Sequence, residues 1–338
     1  MSYNPSDVGK KGSLFGYPYS EREADLIIIP VPWDVTVSYG AGTSNGPRTI
    51  LEASPQLDLS LPGIRNPWEF GVFMQPVSME IKNLSDDLRR QAKSLIDQLE
   101  KGHTVNRSDY TNIEKGCLKT MDWVYRQATT QLEKGKFCAT LGGDHSTPYG
   151  LIKALAKRMD FGILQIDAHM DLRRSYEGFT HSHASIMYNV LNLNRIKKLV
   201  QIGIRDYSPE EEKVVNTNNE IIKVFYDQDL KNGLLEGKTW KSMTDEIIEE
   251  LPDKVYISFD IDGLDPSLCP GTGTPVPGGL QFHEISYLLE QLSRSGKKIV
   301  GFDLSEVSPG TDTWNGNVGA RILYRLCTGL AISQGKLN

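Results

Sequence analysis

A three-layer α/β/α domain around one mostly parallel, doubly wound sheet is what this 338-residue chain predicts. Short apolar runs without polar alternation recur along it, the mark of strands buried on both faces. Segments of helical periodicity separate them, and alternating strand and helix builds a parallel sheet covered on both sides. No Gly/Ser linker, low-complexity tract or internal repeat divides the chain, so residues 1–338 read as a single domain.

In chain order, residues 1–23 form a polar, glycine-rich N-terminal extension with no apolar stretch of signal-peptide type. Strand-like runs follow at 24–30, 137–141, 161–166, 198–204, 221–225, 254–259 and 298–304. Each is a short apolar, β-branched or aromatic run. Helical periodicity appears at 85–101, 112–134, 147–158, 242–250, 281–293 and 317–334. Residues 61–111 are the least regular and are expected to carry surface insertions.

Hydrophobic residues at 39% and charged residues at 24% fit a globular chain with a full core. A net charge of −6 disfavours a general role on nucleic acid or a membrane surface. No segment reaches the length of a membrane span. Cys117, Cys138, Cys269 and Cys327 show no C-x-x-C pairing and are expected as buried thiols, with a cytoplasmic location as the default.

The chemistry concentrates where three apolar runs stop. These stops are Gly142-Gly143-Asp144-His145-Ser146, Asp167-Ala168-His169-Met170-Asp171 and Asp260-Ile261-Asp262. Alone, D-x-D is more often a turn signal, and G-G-D-H a glycine turn before a helix N-cap. Three such clusters at strand ends are harder to dismiss, because unpaired acids there repel one another unless a cation compensates them. Residues two apart on an extended segment point the same way, so D-x-H-x-D can aim three ligands into one crevice. Two histidine nitrogens and four carboxylates suit a pair of divalent ions, Mn²⁺ first, with Ni²⁺, Co²⁺ or Zn²⁺ admissible. Such a pair activates a shared water, and no phosphate loop or G-x-S-x-G elbow competes with that reading.

The clusters resemble the signatures of the ureohydrolase family, which includes arginase, agmatinase, guanidinobutyrase and formiminoglutamase. The similarity extends to Val31-Pro32-Trp33-Asp34 through Arg48, to Pro270-Gly271-Thr272-Gly273-Thr274-Pro275 and to Asp303-Leu304-Ser305-Glu306-Val307-Ser308-Pro309. It spans roughly residues 25–330 and implies an arginase-like fold. The resemblance assigns His145 and Asp171 to one metal, His169 and Asp262 to the other, and Asp167 and Asp260 to both. It implies a bridging hydroxide that attacks a guanidinium carbon to give urea and an amine. Glu306 matches the acid that grips the guanidinium, and His183 the histidine that carries a proton to the leaving amine. Family members form trimers and hexamers, so a homo-oligomer is expected.

Asp171 to Met187 resembles the D-L-R-x-x-Y-x-G-x-x-x-S-H-A pattern of prokaryotic agmatinases. Arginases place an Asn/Ser pair before the shuttle histidine, whereas this chain has Phe179-Thr180-His181-Ser182. Agmatine is therefore the expected substrate, with guanidinobutyrate, guanidine, arginine and formiminoglutamate as alternatives. Trp33 and Asn315-Gly316-Asn317 depart from many agmatinases and are expected to shape the pocket mouth. Two readings of a different class stand beside this one: a one-zinc deacetylase of the same fold family, and a catalytically inactive regulatory subunit. The intact ligand set, with Glu306 and His183, argues against both. His181 is expected in a surface or supporting role, and His103 and His283 as ordinary surface or helix-start residues. Asp144, Asp265 and Asp303 are expected to orient ligands, cap turns or end strands.

Overall fold

The computed structural model describes residues 4–5 and 9–338. Its strands are β1 (Leu26–Val31), β2 (Val72–Met74), β3 (Phe137–Gly142), β4 (Phe161–Ile166), β5 (Ile196–Ile204), β6 (Ile222–Tyr226), β7 (Lys254–Asp260) and β8 (Lys298–Ser305). They form one sheet in the order β2-β1-β3-β8-β7-β4-β5-β6. Every neighbouring pair runs parallel. The helices are α1 (Gly46–Ala53), α2 (Met79–Glu100), α3 (Thr111–Glu133), α4 (Tyr149–Ala156), α5 (Ile186–Leu191), α6 (Pro209–Thr217), α7 (Asp227–Leu235), α8 (Trp240–Glu249), α9 (Phe282–Arg294) and α10 (Trp314–Ser333).

The three layers follow from the period-2 alternation of strand side chains. On β1, Leu26 and Ile28 point to one face, with Leu164, Ile166, Ile257, Phe302 and Leu304 from other strands. That face is covered by α1 and α7 through α10, where Ile247, Leu288 and Leu323 are fully buried. Ile27, Ile29, Ile163 and Tyr256 point the other way and meet Leu88, Ile113, Leu151 and Ile186 of α2 through α5. Each fully buried side chain of this kind stabilises by about 1.5–3 kcal/mol, so two continuous cores fix the sheet from both sides.

Two parts of the chain are more ordered than their composition suggests. Residues 61–111 hold the edge strand β2 and the 22-residue helix α2, which Ser78 caps through the Ile81 amide at 3.3 Å. Their apolar signal is diluted because β2 has three residues and α2 an exposed face. In the N-terminal extension, residues 1–3 and 6–8 lie outside the described residues. Leu14, Phe15 and Tyr17 are buried, and the Phe15 ring sits edge-on to Tyr324 of α10 at 5.0 Å. Helices α1, α5, α6 and α7 also escape the sequence reading, each nine residues or shorter. Among the described residues no helix is long and apolar enough to cross a membrane.

Candidate metal centre and substrate cleft

The central strands β3, β8, β7 and β4 are neighbours, and all four end at the site. The chain leaves β3 for the first half of the sheet's other side and returns through β7 and β8, so the ends lie at a topological switch point where ligands collect. From β3, Gly143 delivers His145. A Cβ on Gly143 would stand 1.7 Å from the Trp33 carbonyl oxygen, so only glycine lets the two loops cross there. From β4 come Asp167, His169 and Asp171, from β7 Asp260 and Asp262, and from β8 Glu306.

These side chains converge. His145 Nδ1 lies 3.0 Å from Asp167 Oδ2, 3.0 Å from Asp171 Oδ2 and 3.4 Å from Asp260 Oδ2. His169 Nδ1 lies 3.1 Å from Asp262 Oδ2 and 3.6 Å from Asp167 Oδ1. Two groups of mutually close ligand atoms result, His145 with Asp167 and Asp260, and Asp167 with His169 and Asp262. Asp167 is common to both. Asp260, which the resemblance also assigns to both metals, sits in the His145 group only, with Asp171 at its edge.

Supporting contacts aim the ligands. His145 Nε2 is 2.9 Å from Ser258 Oγ, which donates to Asp303 Oδ2 at 2.8 Å. Asp303 is thus a strand residue with an orienting task, and Ser258 is a partner the sequence did not single out. Asp167 accepts from Gln165 Nε2 at 2.8 Å and from the His169 amide at 2.6 Å. Asp206 approaches His169 Nε2 at 3.9 Å. Asp144 and Asp265 accept from Ser146 and Ser267 and cap their turns.

The charge balance shows what the site is built to hold. Burial, then repulsion from Asp167, pushes Asp171 up to about 7. Burial and Asp262 raise Asp260 well above the carboxylate range. Burial opposes charge on His145, yet Asp167 and Asp171 outweigh it and raise its pKa. Alone, the cluster must keep protons on its acids and imidazoles; divalent cations would take their place. His145 Nδ1 is also a buried nitrogen without a hydrogen-bond partner. The donors therefore fit two divalent ions.

Glu306 adopts a left-handed backbone at φ 63° and is 3% exposed. Its Oε1 accepts from the His145 amide at 2.9 Å, while Oε2 has no partner. Burial, then the Asp144 charge, raises its pKa well above normal. A cation is what such a carboxylate lacks.

Beside the centre opens a cleft of about 300 Å³ whose wall includes His169, Asp171, Tyr176, Glu177, His183 and Thr274. His183 is half-buried at this wall, edge-on to Tyr176 at 6.2 Å. Burial, with the nearby His169 and His145, lowers its pKa to about 3, so the ring is neutral at physiological pH rather than poised at it. The residues before it turn away. The Thr180 amide and hydroxyl donate to Glu114 of α3 at 2.7 and 2.9 Å, and His181 Nδ1 lies 2.6 Å from the same carboxylate.

The expectation that Trp33 and the 315–317 turn shape the mouth is corrected. Trp33 is 1% exposed and packs under Gly143. Asn315 is buried and donates to the Ser308 carbonyl at 3.0 Å, bracing loops behind the cleft. His103 is exposed, and His283 is the second residue of α9.

Comparison with known proteins agrees with this geometry. The model of the arginase family matches residues 24–329. An N(1)-aminopropylagmatine ureohydrolase of Thermus thermophilus is 32% identical over 309 residues, covering 91% of this chain and 90% of that protein. An agmatinase of Proteus mirabilis is 33% identical, covering 91% and 90%. The crystal structure of an agmatine ureohydrolase from Thermoplasma volcanium superposes with a TM-score of 0.70 at 25% identity, over 96% of each chain. The family match, the relatives and the shared fold show that this chain belongs to the arginase family, hydrolases that act on amidino C–N bonds.

Proposed function

We propose that the chain hydrolyses a guanidino cation that carries an amine tail and no α-amino-acid head, agmatine first, to urea and a diamine. One observation carries this reading. Thr180 and His181, which precede Ser182 and His183, are committed to Glu114 on α3. They offer nothing to an α-carboxylate and α-ammonium. Arginine would have to desolvate its α-carboxylate with no partner from these residues. Relatives named agmatinase and N(1)-aminopropylagmatine ureohydrolase support an amine-tailed substrate.

His145, Asp167, Asp171, Asp260, His169 and Asp262 would hold two divalent ions, Mn²⁺ first because carboxylates dominate the set. When bound, such a pair supplies positive charge and an activated water. The chain does the rest. Glu306 Oε2 accepts from the guanidinium and fixes its plane, a match of a charged oxygen to a planar fork. Burial of Glu306 strengthens that contact. A C–O bond to the water oxygen forms, the C–N bond to the tail breaks, and both protons of the water pass to the amine, the last of them making it an ammonium. Neutral His183, with one donor and one acceptor nitrogen, suits passing that proton on rather than storing it.

A urea-release screen over agmatine, aminopropylagmatine, arginine, 4-guanidinobutyrate, formiminoglutamate and guanidine tests the proposal, with metal content measured in parallel. Agmatine is expected to exceed arginine in kcat/KM by roughly a hundredfold or more. Comparable turnover of the two overturns the reading.

A further inference from the structure

We propose that Glu177 is the specificity-determining residue that receives the substrate's cationic tail; this rests on the function proposed above. Among the described residues, the cleft wall holds four acids beyond the metal centre: Glu100, Glu177, Asp206 and Glu211. Glu211 is buried and accepts from the Leu172 amide at 3.1 Å and from Ser208. Arg173, the one lysine or arginine of the wall among the described residues, stands 3.6 Å from Glu211 and stacks on Tyr176 at 4.8 Å. Asp206 faces His169. Glu100 is exposed at the end of α2.

Glu177 differs from all of these. It is half-buried, lines the same cavity as Asp171 and His183, and forms no ion pair among the described residues. Ser38 Oγ donates to its Oε2 at 2.9 Å, which ties the carboxylate to the loop that follows β1. Burial raises its pKa, and the Glu100 charge adds to the rise, against the pull of the Ser38 hydrogen bond and the more distant Arg89 charge. Its backbone is left-handed at φ 50°. Asp171 and Glu306 share that conformation at 54° and 63°. For a residue with a Cβ this costs about 1–2 kcal/mol, and such strain persists where the surroundings impose it. The imposing contacts are visible. Tyr110 packs edge-on against Phe179 at 5.2 Å, and Glu114 holds Thr180 and His181. The loop is thus clamped directly after Gly178, at Phe179, Thr180 and His181, with Glu177 lining the cleft.

Glu177 and the metal-centre residues His169 and Asp171 line one cavity. A substrate whose guanidinium is held at the metal centre would bring its tail to this second negative charge. An alkylammonium tail satisfies that charge, a neutral tail leaves it unpaired, and a carboxylate tail is repelled. The class selected is a linear dication, guanidinium at one end and primary ammonium at the other.

The test compares wild type with Glu177→Gln and Glu177→Lys on agmatine, butylguanidine and 4-guanidinobutyrate, which differ only in the charge at the tail. In Glu177→Gln the ratio of kcat/KM for agmatine over butylguanidine is expected to fall roughly thirtyfold, mainly through KM, as for loss of one charged hydrogen-bond partner. Glu177→Lys is expected to shift preference toward 4-guanidinobutyrate. Metal content of each variant reports whether the centre is intact. An unchanged ratio, or equal losses on both substrates with the metals retained, overturns the assignment while leaving the hydrolase in place. No urea from any of the three with wild type overturns the parent reading and this one with it.

Discussion

Asp167 accepts from Gln165 through one carboxylate oxygen and from the His169 amide through the other, so its orientation is set by the chain itself. It is also the one side chain common to both groups of ligand atoms. Burial works against its charge, yet His145 and His169 hold its pKa below the usual range. Asp167→Asn keeps the size and replaces one anionic oxygen by a donor, which no cation accepts. The variant is expected to lose both metals, and His145→Asn chiefly one, with activity falling by about a thousandfold or more in the first case. Metal analysis of purified, folded protein checks this; equal loss of one ion in both variants would rule out a shared Asp167. The six side chains that converge on the candidate centre were legible as D-x-H-x-D, D-x-D and G-G-D-H, because strand ends force alternate residues to one side. Ser258 was not, since a serine within a strand carries no signal until β8 brings Asp303 beside it.

Between Asp171 and His183 the chain has no regular structure, yet it must hold two cleft residues in place. Glu114 of α3 does so through the amide and hydroxyl of Thr180 and the ring of His181. Burial alone would raise the Glu114 pKa, but these donors, His181 first among them, hold it lowered, so the clamp is charged. No periodicity could have revealed it: 66 residues separate Glu114 from Thr180, and only packing of α3 against the sheet joins them. The edge strand β2 was hidden for the opposite reason, being too short for any pattern to emerge. Removing the clamp in Glu114→Ala should cost about 1–3 kcal/mol locally and leave the two cores intact. Tryptic cleavage beside the exposed Arg174 is then expected to speed up roughly tenfold or more, with a much smaller change in global stability. An unaltered cleavage rate would mean that the Tyr110–Phe179 contact holds the loop without Glu114.

On the scale of the whole molecule, two apolar cores press a sheet whose central strands all end in acids. The cores were readable from unbroken apolar runs, and the position of the site followed from the parallel winding. What composition could not show is how completely the acids are buried. Burial pushes Asp144 and Asp171 up to about 7, with Asp34 and Asp167 adding to the rise, and Asp303 to about 6 against the pull of His145, from an ordinary 3.8. Between those limits the folded chain holds protons that the unfolded chain has released, so stability falls as pH rises through this window. His145 and His169 are raised by their carboxylate partners against the effect of burial, and they extend the same trend above pH 6.5. Asp167, lowered, opposes it only below its ordinary value of 3.8. Bound divalent ions replace those protons and reverse the sign, because they bind the deprotonated ligands. Protein stripped of metal by a chelator is therefore expected to melt roughly 5–10 °C lower at pH 8 than at pH 5.5. Adding Mn²⁺ should raise the melting temperature more at pH 8 than at pH 5.5. Calorimetry on stripped and reloaded samples reads both quantities, and a stripped protein that melts higher at pH 8 would show that the acids at these strand ends are not held against their charge.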